Sequence, residues 1–285
     1  MISEINFPDG RTIKNLGQGS WYLGDKPQQR NAEIEAIQAG IELGLTNIDT
    51  AEMYGNGRSE TLIGEAIQPF ARKDLFLISK VLPYNAGKDR IFQACTDSLN
   101  RLKTDYLDLY LLHWQGSVPL QETVSAMEAL KAQGLIKGWG VSNFDMDQMM
   151  DLLAVENGDQ CQTNQVLYHL LSRGVEFELM GFLQDHHIPM MAYCPLIGQE
   201  ASQKKRYINH SQVKSLCKKL NITPTQLLLM FVTQKENVLA IPKAGSAEHV
   251  LANFKAWEMN LSAENLAILD VAFPAPNKKT SLHVE

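Results

Sequence analysis

The sequence predicts an α/β fold: a single (β/α)8 TIM barrel preceded by an N-terminal β-hairpin. Three observations carry the prediction. Eight short apolar runs recur along the 285 residues, segments of helical period separate them, and no long linker or low-complexity tract breaks the alternation. The runs also lack strict period-two alternation. Strands buried on both faces have that composition, which points to a parallel sheet covered by helices. Barrels of this kind commonly reach about 250 residues as one unit. One domain is therefore expected over 1–285, with the hairpin at 1–16 and a tail at 271–285.

Each element follows from local chemistry. "INF" and "RTIKNL" flank Pro8-Asp9-Gly10, where fixed φ, a side-chain acceptor and free access to positive φ favour a turn. The eight strands are expected in "GSWYLG" (from 19), "TNIDTA" (46), "LFLISKV" (75), "YLDLYLLHW" (106), "IKGWGVSN" (136), "QTNQVLY" (162), "PMMAYCPL" (189) and "VLAIPKA" (238). Between them, Phe92, Cys95, Leu99 and Leu102 fall on one helix face. Val124, Met127 and Leu130 repeat the pattern, and Gly134 is placed to stop that helix. Thr223-Pro224 reads as an N-cap followed by proline at the first helical position. The rival doubly wound fold normally carries GxGxxG in its first strand–helix turn. Gly17 and Gly19 supply GxG, but Tyr22 stands where the third glycine belongs.

Composition removes several function classes. A net charge of −6 with no basic block argues against nucleic-acid binding, which needs clustered Lys and Arg. Cys95, Cys161, Cys194 and Cys217 are widely spaced with no CxxC and no Cys/His ligand spacing, so neither a metal site nor a disulfide scaffold is expected. The start lacks the basic-then-apolar pattern of a signal peptide, and "LLLMFV" (227–232) is too short to span a bilayer. A cytoplasmic protein without membrane contact is expected.

In such a barrel, functional groups lie at the C-terminal ends of the strands. That places Asp49 and Tyr54 after the second strand, Lys80 at the end of the third and His113 at the end of the fourth. Ser142 and Asn143 follow the fifth, and Gln165 lies on the sixth. Singly, each has a bland reading: Asp49 as a turn acceptor, Lys80 in solvent, His113 as a satisfied core histidine, Tyr54 as packing. Together they make a coherent group. An inward lysine needs a partner, because breaking a buried pair costs about 3–5 kcal/mol, and Asp49 can supply the charge. The ammonium beside Tyr54 is expected to lower the phenol's pKa and ready it as a general acid. His113 can direct a substrate oxygen towards it.

These residues stand in motifs that resemble the aldo-keto reductase family. "GQGSWYLG", "IDTAEMYGNG", "LFLISKV", "DYLDLYLLHW", "GWGVSN", "TNQVLYH", "AYCPL" and "AIPKA" occur in order over roughly residues 13–255. Within the family, "AEMYGNG" and the tail "PAPNKKTSLHVE" resemble bacterial methylglyoxal reductases. The resemblance implies a (β/α)8 barrel that binds NADPH across the strand ends without a Rossmann fold. It implies a catalytic tetrad of Asp49, Tyr54, Lys80 and His113. Ser142, Asn143 and Gln165 match positions that hold the nicotinamide carboxamide, and Tyr193 matches the aromatic that stacks on that ring. Gly19 and Ser20 match a Gly-Thr pair at the first strand, and Trp21 and Trp114 match pocket-wall aromatics.

At the adenosine end Lys243 and Asn253 fit the family pattern, whereas Ala244 replaces a serine and His249 an arginine. Arginine grips phosphate bidentately and histidine does not, so NADPH is expected with NADH as the second candidate. The resemblance implies a monomeric NADPH-dependent enzyme that reduces small aldehydes and ketones, methylglyoxal-like dicarbonyls among them. The alternative is a redox sensor or regulatory subunit of the same fold that holds NADPH with little turnover.

Overall fold

Pro8, Asp9 and Gly10 turn the chain as their chemistry dictates: Gly10 takes φ 86°, Phe7 N–H donates to Arg11 O, and Phe7 O accepts from Gly10 N–H. The flanking strands β1 (Glu4–Asn6) and β2 (Thr12–Lys14) pair antiparallel. The structure, a computed structural model, describes residues 4–198 and 200–285.

Eight parallel strands follow: β3 (Gln18–Gly19), β4 (Asn47–Asp49), β5 (Phe76–Val81), β6 (Leu107–Leu112), β7 (Ile136–Ser142), β8 (Asn164–Leu167), β9 (Met190–Tyr193) and β10 (Val238–Ala240). Each pairs with the next in chain order. The barrel closes between β3 and β10, where Gly17 N–H donates to Ala240 O at 2.9 Å and Gly19 N–H to Pro242 O at 3.0 Å. Gly19 is needed at this seam: a Cβ there would lie 2.6 Å from Ile241 O.

The helical layer consists of α1 (Arg30–Glu42), α2 (Arg58–Ala66), α3 (Ile91–Leu102), α4 (Leu120–Ala132), α5 (Met146–Ala154), α6 (Leu179–Asp185), α7 (Ala201–Asn209), α8 (Ser211–Leu220), α9 (Pro224–Thr233), α10 (Ala247–Trp257) and α11 (Ala263–Ala272). The expected signals operate. Thr223 caps α9 in a reciprocal box with Gln226, with Pro224 at the first turn. Gly134 takes φ 75° just past α4. Cys95, Leu99 and Leu102 are buried on α3.

Strand alternation positions the site. Phe76, Ile78, Leu109, Leu111, Met191, Leu239 and Ile241 form a small inner core, and Ile5 and Phe7 of the hairpin plug its bottom. Leu77, Val81, Tyr110 and Leu112, of opposite parity, join the larger core under the helices. Side chains alternate along a strand, so Lys80 continues the inward column above Phe76 and Ile78, and His113 the column above Leu109 and Leu111. Asp49, flanking outward-facing Ile48, belongs to the same inward set.

Two boundaries differ from expectation. "GSWYLG" contributes only Gly19 to a strand; Trp21 to Gly24 form a turn in which Tyr22 takes φ 67°. The aromatic run leaves the sheet for the rim instead of continuing along it. The tail begins at Phe273, since α11 extends through Ala272.

Candidate active site

β4 stops at Asp49, and the chain passes over the rim through a 3-10 turn, Tyr54–Gly57, before α2. Gly55 and Gly57 take φ 58° and 83°. This left-handed path brings the Tyr54 ring back over the barrel mouth. There Lys80 Nζ donates to Asp49 Oδ2 at 2.7 Å, to Thr50 O at 2.9 Å and to the Tyr54 hydroxyl oxygen at 3.0 Å. All three ammonium donors are thus used, and Lys80 is 0% exposed. Gln165 Nε2 donates to the other Asp49 oxygen at 2.8 Å. The buried pair is held on both sides, the condition under which such a pair is tolerated.

The Tyr54 hydroxyl accepts from Lys80 and donates to no protein group among the described residues. The His113 ring meets the Tyr54 ring edge-on at 5.8 Å between centroids. Burial, reinforced by the Lys80 charge, pushes the His113 pKa down to about 3, so the ring is neutral through the physiological range. Its Nδ1 is buried without a protein partner among the described residues. Trp21 stacks near Tyr54 at 6.2 Å, and Trp114 lies 5.0 Å from His113. The four residues expected at one rim are brought together, with both tryptophans beside them.

One electrostatic expectation is corrected. Burial first, then the Asp49 and Cys194 charges, hold the Tyr54 phenol well above its ordinary pKa. Burial likewise raises Asp49 and lowers Lys80, while their mutual attraction works the other way. Tyr54 therefore stays protonated at neutral pH because it is desolvated.

The neighbouring polar residues form a second group. Ser142 Oγ donates to Gln165 O at 2.9 Å, and Asn143 Nδ2 donates to His113 O at 3.1 Å and to Ser142 Oγ at 3.2 Å. The Tyr193 hydroxyl donates to Asn143 Oδ1 at 2.9 Å. Asn143 reaches these partners from a left-handed backbone, φ 60°. Among the described residues, Ser142 retains a free lone pair and Gln165 Oε1 has no protein partner.

A cleft of about 560 Å³ runs from Trp21 past Cys194 to Lys243, His249 and Asn253. Lys243 and His249 are exposed, and Asn253 is buried on α10. His249 lies in the first turn of that helix, where its N–H donates to the cap Ser246 Oγ at 3.4 Å. Ser20 stands apart from the cleft: it is fully buried and its hydroxyl accepts from Ser59 Oγ at 2.8 Å. Gly19 sits at the barrel seam. Two partners had no sequence signal: Thr50 O, whose role as an acceptor is a backbone property, and Glu285, which lines the cleft from the far end of the chain. Among the described residues there is no cluster of His, Cys, Asp and Glu suited to a metal ion, and no helix long and apolar enough to cross a membrane.

Comparison with known proteins agrees with this geometry. The model of the aldo/keto reductase family matches residues 15–272. The chain is 48% identical over 278 residues to methylglyoxal reductase YeaE of Escherichia coli, covering 98% of this chain and 97% of that one. An aldo-keto reductase from Klebsiella pneumoniae, crystallised in complex with NADPH, superposes with a TM-score of 0.96 at 47% identity, with both chains covered completely. A thermostable aldo-keto reductase bound to the inhibitor epalrestat gives 0.85 at 36% identity, over 95% of this chain and 99% of that one. A barrel closed at Gly19, a lysine–carboxylate pair beneath a rim phenol and a family match over almost all of its length lead to one assignment: the chain belongs to the aldo/keto reductase family.

Proposed function

We propose that the protein reduces small aldehydes and ketones to alcohols with NADPH, methylglyoxal-like dicarbonyls being the favoured class, and that Tyr54 is the general acid. The observation that carries this reading is the one-sided bonding of the Tyr54 hydroxyl. Its oxygen is fixed by Lys80 while its proton is left for a molecule in the pocket.

The residues of the cleft suit the cofactor. Ser142 and Gln165 offer unfilled acceptors to a carboxamide, Tyr193 offers an aromatic ring, and Lys243 and Asn253 border the other end, where a phosphate needs a charge. When bound, NADPH supplies the hydride. The chain's own part is placement and proton delivery. Trp21 stands beside Tyr54 and Trp114 beside His113, two aromatic faces for a small substrate. A carbonyl oxygen lodged between the phenol and the neutral imidazole takes its proton from Tyr54 as negative charge develops there. Lys80, locked to Asp49, steadies the phenolate left behind. Two further supports are the E. coli methylglyoxal reductase relative and the NADPH complex of the K. pneumoniae enzyme.

The test is a panel of small aldehydes, methylglyoxal included, mixed with purified protein and NADPH, with consumption of NADPH read by its absorbance. Turnover of methylglyoxal is expected. Negligible turnover across the panel, in a protein whose unfolding temperature rises with NADPH, would identify a sensor instead.

A further inference from the structure

The tail after α11 returns across the top of the barrel and ends inside the cleft. Lys279 anchors it: Nζ lies 2.6 Å from Glu178 Oε1, 3.5 Å from Asp147 Oδ2 and 3.9 Å from Asp145 Oδ2. Farther on, His283 Nδ1 is 3.1 Å from Ser172 Oγ, and Leu282 packs against the core. These contacts deliver Glu285 to the loop that follows β9. Its N–H donates to the Tyr193 hydroxyl at 3.4 Å, and its Oε2 accepts from Cys194 Sγ at 3.3 Å. The side chain lies flat against Gly198, where a Cβ would fall 1.8 Å from Oε2.

This is a poor place for a carboxylate to rest. A thiol is a weak donor, and among the described residues no Lys or Arg pairs with Glu285 within 4.0 Å. Lys204 and Lys243 line the same cleft, yet neither pairs with it. The loop beneath is strained as well: Cys194 and Ile197, neither a glycine, take φ 51° and 64°. A free carboxylate therefore fastens a strained loop across the cleft that the adenosine-end residues also border.

We propose that Glu285 is an internal competitor for the cofactor: its carboxylate occupies the cleft and holds the loop 194–198 down until the anionic dinucleotide displaces it. The inference rests on the functional reading above, because the displaced tail matters only if NADPH enters this cleft. The competition is electrostatic and steric at once. Two anions side by side in one cleft repel each other, and the Gly198 surface that Glu285 covers is part of the cleft wall. Binding then has to remove the tail first, which multiplies the intrinsic affinity by the fraction of molecules in which the tail is free.

The measurement is the Kd of NADPH for the full chain, by quenching of protein fluorescence. Glu285→Gln, which keeps shape and removes charge, is expected to tighten NADPH binding about fivefold. Lys279→Ala, which frees the anchor, is expected to tighten it by a similar factor. The double variant is expected to gain little beyond either single change, because both act through one displaced state. An unchanged Kd in both single variants overturns the proposal. Weaker binding in Glu285→Gln also overturns it, by making the carboxylate a cofactor contact. If the unmodified chain fails to bind NADPH at all, it is the functional reading that falls.

Discussion

The two ends of the cleft are built in opposite ways. At the barrel mouth, Asp49 and Lys80 are buried, and Lys80, Asp49 and Asn143 are bonded to protein groups from several strands. At the far end, Lys243 and His249 are exposed and, among the described residues, take part in no ion pair. The mouth has its geometry before any ligand arrives. The far end offers charge without order, and its arrangement must come from what binds. Chemistry that depends on fractions of an ångström belongs at the first end, and recognition of a flexible charged group can be left to the second.

The largest effect that tests this contrast is at the proposed acid. Tyr54→Phe keeps the ring beside Trp21 and removes only the proton source. Turnover should fall about 10²- to 10⁴-fold, the range for a positioned general acid, with NADPH affinity unchanged. Steady-state kinetics and a cofactor titration check it. Turnover near that of the unmodified chain would remove Tyr54 from the chemistry.

Lys80→Met comes next, because it touches both chemistry and stability. Turnover should drop about 10²-fold through loss of the fixed charge. The buried Asp49 carboxylate is left without its cation, so the chain should lose about 3–5 kcal/mol of stability, read by denaturant unfolding. The pH dependence separates the two effects. Burial raises the Tyr54 phenol and lowers the Lys80 ammonium, so the acid is protonated at neutral pH and the ammonium is the first of the two to be lost as pH rises, taking turnover with it. Lys80→Met removes that titrating group, so the alkaline limb must move upward. A limb that stays in place or moves down would show that Lys80 does not act on the phenol.

The same contrast governs what could be read in the sequence. Lys80 and His113 were legible because a strand's period of two and the barrel's polarity fix both the direction and the height of a side chain. Tyr54 was legible because Gly55 and Gly57 mark a backbone that must turn sharply after β4. The net direction of its pKa was not, because pairwise charges can be read from sequence and desolvation cannot. The first strand was misjudged for a related reason. Trp21 and Tyr22 have the composition of a strand, and only the seam with β10 shows the sheet ending at Gly19. Nor does the sequence show that Ser59 reaches the Ser20 hydroxyl from α2. Glu285 had no signal of any kind, since its place depends on a tail anchored by Lys279 to acids near α5 and α6.

The smallest effect lies at the exposed end. His249 stands in the first turn of α10 with Lys243 as the neighbouring fixed charge of the cleft. Replacing it with arginine adds a permanent charge and a planar fork able to grip a phosphate at two points. Both partners would remain in solvent, and one exposed charge pair contributes at most about 1 kcal/mol, or roughly fivefold. His249→Arg should therefore raise the preference for NADPH over NADH by no more than about fivefold while leaving turnover at saturating cofactor unchanged. The ratio of kcat/KM for the two cofactors measures it, and the gain should shrink as salt is added, because screening weakens exposed pairs first. An unchanged ratio would mean that position 249 does not meet the phosphate. A change in saturated turnover would mean that the two ends are coupled, and that the order at the barrel mouth depends on what is held beyond it.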